Sequence, residues 1–264
     1  MVGIIRSLWQ YRQFIFSSIR NEMISRFAHS KLGGLWMIIS PLLQVTIYAL
    51  ILSNVLGSKL PNTSNTYAYA IYLMAGLLGW TLFNEIITRS LTLFIENGNL
   101  MKKVRFPRIT LPSILTLSCL LNNSLLFVAI SFIFILIGQP LSLEILWLTP
   151  LTLTVTMLAL SIGLIMGIIN VFLRDIGHIS PIVLQVWFWF TPIVYPETVI
   201  PEQYRHLLNL NPMYPLIKAY HDVLACNKSP QLDTLIPVVL ISLLFMLLSL
   251  FLFRRASPEM VDVL

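Results

Sequence analysis

Long apolar runs alternate with short charged segments along the chain, and most runs are long enough to cross a bilayer as a helix. The runs cover roughly residues 35–56, 71–93, 111–137, 147–172, 179–196 and 233–253. A helix of about 20 residues rises ~30 Å, which matches the thickness of the hydrocarbon core. The pattern therefore predicts an all-α membrane protein with six transmembrane helices. The fifth is short and contains Pro181, Pro192 and Pro196, so neighbouring groups must satisfy the backbone that these residues free.

The composition agrees with this pattern. Of the 264 residues, 57% are hydrophobic and 11% are charged, whereas soluble domains carry about 25% charged residues. The net charge of +6 comes from basic residues placed between the apolar runs, not from one continuous basic face. We therefore expect membrane lipids, and no nucleic acid, around this protein.

The chain divides into an N-terminal segment 1–33, a transmembrane domain 34–253 and a tail 254–264. Within 4–27, apolar residues recur at helical spacing, namely Ile4, Leu8, Tyr11, Ile15, Ile19, Met23 and Phe27. This spacing predicts an amphipathic interface helix, lying either on the cytoplasmic membrane surface or against the protein's own cytoplasmic face. The segment has no continuous apolar core, which argues against a cleaved signal peptide.

Basic residues are distributed unevenly over the two sides of this six-span topology. Twelve of the 17 Lys and Arg residues lie on the side of the two termini and the loops 94–110 and 173–178, four lie on the other side, and Arg89 lies within a span. The positive-inside rule then predicts that both termini are cytoplasmic.

The segment 197–232, on the predicted outer side, mixes apolar residues with charges and four prolines. We expect two short helices in it, near 201–208 and 213–225. Two arrangements fit the pattern equally. The helices either dip toward the membrane and cover an exit, or form a cap on the bundle.

The sequence contains no recognisable catalytic site. A phosphate loop for ATP hydrolysis ends in Gly-Lys-Ser/Thr, and no Gly-Lys pair occurs in the chain. None of the four histidines has a second His or a Cys three or four residues away, as a metal site would require. We therefore predict a protein without enzymatic activity, bound metal or cofactor of its own.

Glu85 and Arg89 are the charged residues inside the predicted spans, and they lie four apart on one helix face. A charge at the bilayer centre costs on the order of 3 kcal/mol on insertion scales. We therefore expect the two to neutralise each other. Their role is either that of a structural pair or a part in gating or substrate passage.

Small and polar residues mark two further spans. Asn122 and Asn123 in the third span need hydrogen-bond partners, so we expect them to face the bundle interior or a wet cavity. Gly163 and Gly167 in the fourth span form a small-xxx-small pattern, which predicts close helix contact inside the subunit.

Aromatic residues concentrate in the second and fifth spans. Residues 187–190 are four consecutive aromatics, Tyr195 follows near the outer end, and Trp80 lies in the second span. An interfacial belt explains most such clusters. However, successive helical residues point about 100° apart, so at least one of the four rings must face inward.

Four polar segments carry a resemblance to a known family. They are SKLGGLW at 30–36, LMKKVRFPR at 100–108, NVFLRDIGHI at 170–179 and RRASPEMVDVL at 254–264. In this order and spacing they resemble the ABC-2 type permeases of O-antigen and related polysaccharide exporters. The resemblance implies a homodimer in the bacterial inner membrane, bound to two copies of a separate ATPase subunit that holds ATP and Mg. The cargo would be a lipid-linked polysaccharide.

The same resemblance implies roles for individual residues. The 100–108 loop would be a coupling helix that docks on the ATPase, with Lys102, Lys103, Arg105, Phe106 and Arg108 exposed. A second cytoplasmic contact would involve Arg174 and Asp175. A sugar-contacting channel lining would consist of the aromatic residues Trp80, Trp187, Trp189, Phe190 and Tyr195. The segment 197–232 would contain the family's short periplasmic gate helices.

Other functions remain open at this point. Capsule and teichoic-acid exporters share the architecture, and the C-terminal PEMVD run favours O-antigen. A secondary transporter or channel would need no ATPase, but such proteins more often carry several unpaired carboxylates or broken helices at the midplane. A membrane-embedded transferase would need a buried His or an acidic pair, which the sequence does not show.

Overall fold

A computed structural model of the chain describes residues 9–27, 35–36, 39, 43, 67–103, 106–140 and 142–263. Over these ranges the regular structure is helical and contains no strand. The first predicted span, 35–56, lies almost entirely outside the described residues. Most of the SKLGGLW segment and Arg105 of the predicted coupling loop also lie outside them.

Nine α-helices lie within the described ranges. They are α1 (Arg12–Phe27), α2 (Ala68–Glu96), α3 (Gly98–Lys103), α4 (Thr110–Ile137), α5 (Leu148–Phe172), α6 (Asp175–Phe190), α7 (Glu202–Leu208), α8 (Met213–Leu224) and α9 (Leu232–Val263). Two 3₁₀ turns, Leu143–Trp147 and Glu197–Val199, precede α5 and α7.

Among the described helices, α2, α4, α5 and α9 are long and apolar enough to cross a membrane. They confirm the predicted spans 71–93, 111–137, 147–172 and 233–253 to within a few residues, although α9 continues about ten residues further into the tail. The structure therefore shows four candidate spans. The predicted total of six is not confirmed within the described residues, because most of the first span lies outside them and the helix of the fifth is shorter than a bilayer crossing.

The helices α2 and α5 form the centre of the bundle, and α4 and α9 lie at its periphery. In the most apolar stretch of each helix, 72% of residues are buried for α2 and 61% for the α5 span, but only 28% for α4 and 22% for α9. Gly163 and Gly167 of α5 face Ser90 of α2, and a Cβ at 163 would lie 2.7 Å from the Ser90 Cβ. A Cβ at 167 would collide with the Ser90 carbonyl oxygen. The predicted small-residue contact within the subunit is confirmed.

The N-terminal helix α1 packs along the first part of α4. Ile15 and Ile19, two members of the predicted apolar stripe, are each 6% exposed. Further along α1, Glu22 accepts a hydrogen bond from Ser118 of α4. Phe16, off the stripe, is 68% exposed. The helix α1 therefore packs against the bundle, and its position on the membrane surface stays a prediction.

The fifth predicted span is a helix followed by an irregular segment. The helix α6 has 16 residues, about 24 Å, and residues 191–195 then continue beside α2. The Tyr69 hydroxyl donates to the Val194 carbonyl at 2.8 Å, and the Tyr72 hydroxyl lies 3.3 Å from the carbonyls of Pro192 and Tyr195. Irregular backbone in an apolar setting requires such partners. These tyrosines therefore explain how the chain tolerates the interruption.

The two short helices expected in the segment 197–232 are α7 and α8. The helix α7 is exposed except for Leu208, whereas α8 is buried between the first parts of α2 and α5. Tyr220 of α8 is fully buried, and its hydroxyl lies 3.0 Å from the Thr152 hydroxyl of α5. Gly79 of α2 makes room for its ring, since a Cβ there would lie 3.0 Å from it. Thus α8 belongs to the bundle, while α7 covers its surface.

Candidate functional site

A cavity of about 560 Å³ lies between the end of α6 and the helix α7. We refer to it as the aromatic cavity. Its lining includes Trp187, Trp189, Phe190, Tyr195, Tyr204 and Asn211, and aliphatic side chains complete the walls. The sequence predicted four of these residues as a channel lining. The structure brings them together in one concave, largely apolar site, which is the usual form of a ligand-binding pocket.

The two tryptophans of α6 point in different directions. Trp187 faces the bundle, where its indole N–H donates to Asn211 Oδ1 at 2.8 Å and its ring packs edge-on against Phe83. Trp189 is 58% exposed, and the neighbouring Phe190 is 69% exposed. The prediction that one of four consecutive rings must turn inward is confirmed. The exposed rings, Trp189 and Phe190, are the ones available to a ligand.

Trp80 does not reach the cavity surface. It is 6% exposed and packs between Phe83, at 5.4 Å between ring centroids, and Phe188, at 5.5 Å. Phe188 in turn contacts the Trp189 ring edge-on. Trp80 was predicted as part of the channel lining, but the structure places it behind the lining, where it supports Phe188.

Asn211, in the short link between α7 and α8, connects three elements. Its Oδ1 accepts hydrogen bonds from the Trp187 indole and from the Met213 backbone N–H at 3.0 Å. Its Nδ2 donates to the Thr191 hydroxyl at 2.9 Å and lies 3.4 Å from the Phe190 carbonyl. The side chain thus uses its full donor and acceptor capacity. Sequence reasoning missed it, because an asparagine before a proline is typical of any turn.

A charged cluster fixes the 3₁₀ turn after α6 to α8. The Tyr214 hydroxyl donates to the Glu197 carboxylate, and Lys218 Nζ lies 3.4 Å from the same group. Burial alone would raise the pKa of Glu197, but the Tyr214 hydrogen bond and the Lys218 charge outweigh it, so the pKa is lowered. Burial, together with this hydrogen bond, raises the pKa of Tyr214. The cluster therefore favours an ionised Glu197 and a neutral Tyr214.

The predicted pair of Glu85 and Arg89 is present and has a third member. Arg89 Nη1 lies 3.4 Å from Glu85 Oε1, as expected for residues four apart. Arg89 Nη2 also pairs with Glu22 of α1. Sequence reasoning missed Glu22, because nothing in the N-terminal segment indicates which helix it will meet.

Polar side chains of α4 complete this charged site. Ser118 donates to Glu22 at 2.8 Å, and Asn122 donates to Glu85 at 2.7 Å. Asn123 donates to the Leu78 carbonyl of α2 at 2.9 Å. The inward orientation predicted for both asparagines is confirmed. A cavity of about 400 Å³ adjoins the site, and within the described part of the chain no cluster of His, Cys, Asp and Glu could hold a metal ion.

The residues predicted to couple to an ATPase divide into two groups. Lys102 and Lys103, at the end of α3, are exposed. Phe106 and Arg108 are partly buried and contact their own chain. The Phe106 ring packs 6.2 Å from that of Phe14 in α1, and Arg108 Nη1 donates to the Ser257 hydroxyl of α9 at 2.8 Å and to the Ser257 carbonyl.

The second predicted contact, Arg174 and Asp175, is exposed in the turn between α5 and α6. Asn170 holds this turn against α2. Its Nδ2 donates to the Leu91 carbonyl at 2.8 Å, and its Oδ1 accepts from the Gly177 backbone N–H at 2.8 Å. The ends of α2 and α5 therefore lie together, and both groups of exposed charges occupy one end of the bundle. We call it the basic end.

Comparison with known proteins finds relatives over nearly the whole chain. Residues 13–224 match the model of the ABC-2 type transporter family. The chain is 29% identical to the O-antigen export system permease protein RfbA of Myxococcus xanthus over 264 residues, 99% of each chain. Its identity to RfbA of Klebsiella pneumoniae is 31% over 204 residues, 75% of this chain and 74% of that protein. With the polysialic acid transport protein KpsM of Escherichia coli it shares 24% identity over 245 residues, 91% of this chain and 92% of the other.

Proposed function

Because this chain belongs to the ABC-2 type transporter family, we propose that it is the membrane subunit of an ATP-driven exporter of a lipid-linked polysaccharide, with O-antigen as the cargo. Relatives named as permeases for O-antigen export support the cargo assignment. A relative named for polysialic acid transport supports the wider class, in which capsular glycans are the alternative cargo.

The aromatic cavity is the observation that carries this proposal. Trp189, Phe190 and Tyr204 each expose more than half of their side chain, and all three line the cavity. A sugar ring presents an apolar C–H face that packs well on a flat aromatic ring, while its hydroxyl groups need polar partners. Stacking contacts of this kind tolerate different sugars, which suits a polymer that must slide past them.

We further propose that the protein has six spans, lies in the bacterial inner membrane and has its basic end in the cytoplasm. The uneven distribution of Lys and Arg supports this orientation. The aromatic cavity then lies toward the outer side, next to α7 and α8. These helices would form the gate over the exit, with α7 as its exposed member and α8 as its anchor in the bundle.

The exposed charges of the basic end suit a docking surface for a separate ATPase, which would hold the ATP and Mg that this chain has no phosphate loop to bind. Lys102 and Lys103 form one contact, and Arg174 and Asp175 form another. A homodimer fits the exposed face of α6, where residues 179, 182, 183 and 186 recur at helical spacing and are 46% to 64% exposed. The glycan would pass beside this face toward the aromatic cavity.

Reconstitution tests the function directly. The chain and its ATPase partner, in sealed vesicles that contain a lipid-linked O-antigen glycan, should make the glycan accessible on the far side only when ATP is supplied. An ATPase variant that binds but does not hydrolyse ATP is the control. Glycan transfer driven by an ion gradient without the ATPase would instead support a secondary transporter, and the proposal would be wrong.

A further inference from the structure

A groove of about 350 Å³ lies at the basic end, between the residues that precede α4 and the last turns of α9. We call it the basic groove. Arg108 and Arg254 form its polar wall, and Ile109, Leu250 and Phe253 form its apolar wall. It is separate from the aromatic cavity and from the Glu22–Arg89 site. Arg108 was predicted as an exposed ATPase contact, but it is partly buried and bonded to Ser257 of α9.

The two arginines carry positive charge that no carboxylate neutralises within the described residues. The ion pairs there join other side chains, and no Asp or Glu lines the groove. Arg108 Nη1 is held by Ser257, so the orientation of its guanidinium group is fixed. Arg254 is exposed one turn before Ser257 on the same helix. Guanidinium groups arranged in this way suit a phosphate group.

An apolar track continues from the basic groove along α9. Leu250, Leu247 and Leu243 precede Arg254 at spacings of four, three and four residues, which places all four on one face of the helix. Leu247 is 53% exposed and Leu243 is 44% exposed. The track extends ~16 Å from Arg254 into the span. Its occupant should therefore have an anionic head and a hydrocarbon tail.

We propose that the basic groove binds an anionic phospholipid, with its phosphate between Arg108 and Arg254 and an acyl chain along Leu250, Leu247 and Leu243. Basic pockets between transmembrane helices on the cytoplasmic side bind anionic lipid headgroups. The assignment to the cytoplasmic leaflet rests on the orientation proposed above, whereas the binding chemistry does not depend on the cargo. Because Arg108 lies in the 100–108 segment and is bonded to α9, the lipid would fasten that segment to the last helix.

Lipid binding to the purified full chain tests the proposal. After delipidation, phosphatidylglycerol or phosphatidylcholine is added back, and bound lipid is counted by native mass spectrometry. We expect retention of phosphatidylglycerol over phosphatidylcholine. Arg254→Gln should weaken phosphatidylglycerol binding about tenfold, since a charge-assisted contact contributes about 1.5 kcal/mol. Arg255→Gln is the matched control, because it removes the same charge from the adjacent exposed position outside the groove, and it should change binding less than about twofold.

A second variant tests the apolar track separately from the arginines. Leu247→Ser leaves both arginines in place and interrupts the track, so it should lower the retention of phosphatidylglycerol. Inorganic phosphate should still compete with phosphatidylglycerol as it does for the wild-type protein. Equal losses in Arg254→Gln and Arg255→Gln would mean general surface attraction and would overturn the site. If Arg254→Gln lost association with the ATPase and bound lipid as wild type does, the groove would be an ATPase contact, and the proposal would be wrong. Failure of glycan export in vesicles would not affect these lipid measurements.

Discussion

The Glu22 carboxylate of α1 pairs with the Arg89 guanidinium of α2, 67 residues further along the chain. The two side chains are only 23% and 24% exposed, so the pair is shielded from much of the solvent screening that weakens surface ion pairs. It joins the N-terminal helix to a central helix of the bundle.

Loss of this ion pair should destabilise the protein. Glu22→Gln leaves the Arg89 charge with Glu85 as its remaining carboxylate partner in the cluster, and we expect a loss of about 1–2 kcal/mol in stability. The measurement is thermal unfolding of the purified protein in detergent. Glu96→Gln is the control, because Glu96 borders the same cavity but is exposed. If both substitutions have the same effect, the pair has no special importance.

The Trp189 ring should matter for export and little for stability. Trp189→Leu keeps an apolar side chain but removes the flat exposed ring, so we expect a severalfold reduction of surface glycan at an unchanged protein level. Glycan display on cells and immunoblotting of the permease are the two readouts. Trp9→Leu, which removes an even more exposed ring from the N-terminal region, is the control. Normal display by the Trp189 variant would contradict the stacking role.

Trp187 should matter for stability more than for export, because its indole N–H is bonded to Asn211. Asn211→Ala would leave the Trp187 indole and the Met213 backbone N–H without their acceptor, at a cost of about 2–3 kcal/mol in stability. Asn209→Ala, two residues earlier and exposed, should be close to neutral. Thermal unfolding distinguishes the two. An Asn211→Ala protein as stable as wild type would show that the three elements are held together by other contacts.

The Glu197 cluster should make stability depend on pH. Because the pKa of Glu197 is lowered on folding, its contribution is present above the ordinary value of 4.5 and is lost as the pH falls through the folded value. The Glu197→Gln protein should therefore be less stable than wild type at pH 7, by about 0.5–1 kcal/mol since the group is partly exposed. The difference should shrink as the pH falls below 4.5 and disappear once the pH is below the folded pKa of Glu197. A difference that persists there would assign it to packing instead of charge.

Charge reversal at the basic end should uncouple the two proposed subunits. Lys102→Glu together with Lys103→Glu reverses the charge at two exposed positions of a six-residue helix without disturbing a described internal contact. We expect the permease to stay inserted, while glycan-stimulated ATP hydrolysis falls several-fold. The control is Lys228→Glu, which reverses a charge at an exposed position of the opposite end, outside α7 and α8. Normal stimulation in the double variant would remove these lysines from the docking surface.

Features that depend on local order along the chain follow from the sequence alone. Apolar length located the spans 71–93, 111–137, 147–172 and 233–253, because hydrocarbon thickness sets helix length whatever the neighbours are. The 3.6-residue period paired Glu85 with Arg89 and separated Trp187 from Trp189. Turn-forming prolines between apolar stretches, which are also a local signal, located α7 and α8.

Which helices meet, and which residues therefore act together, depends on the packing of the folded chain. Glu22 joins Arg89, Asn211 joins Trp187 to Thr191, and Tyr69 holds the irregular segment after α6, each across a distance that no periodicity spans. Trp80 was placed on the channel surface by its residue type and is buried by its neighbours. Lipid and the interior of the helix bundle are both apolar. Hydropathy therefore shows that a residue leaves water, but not whether it faces lipid or another helix.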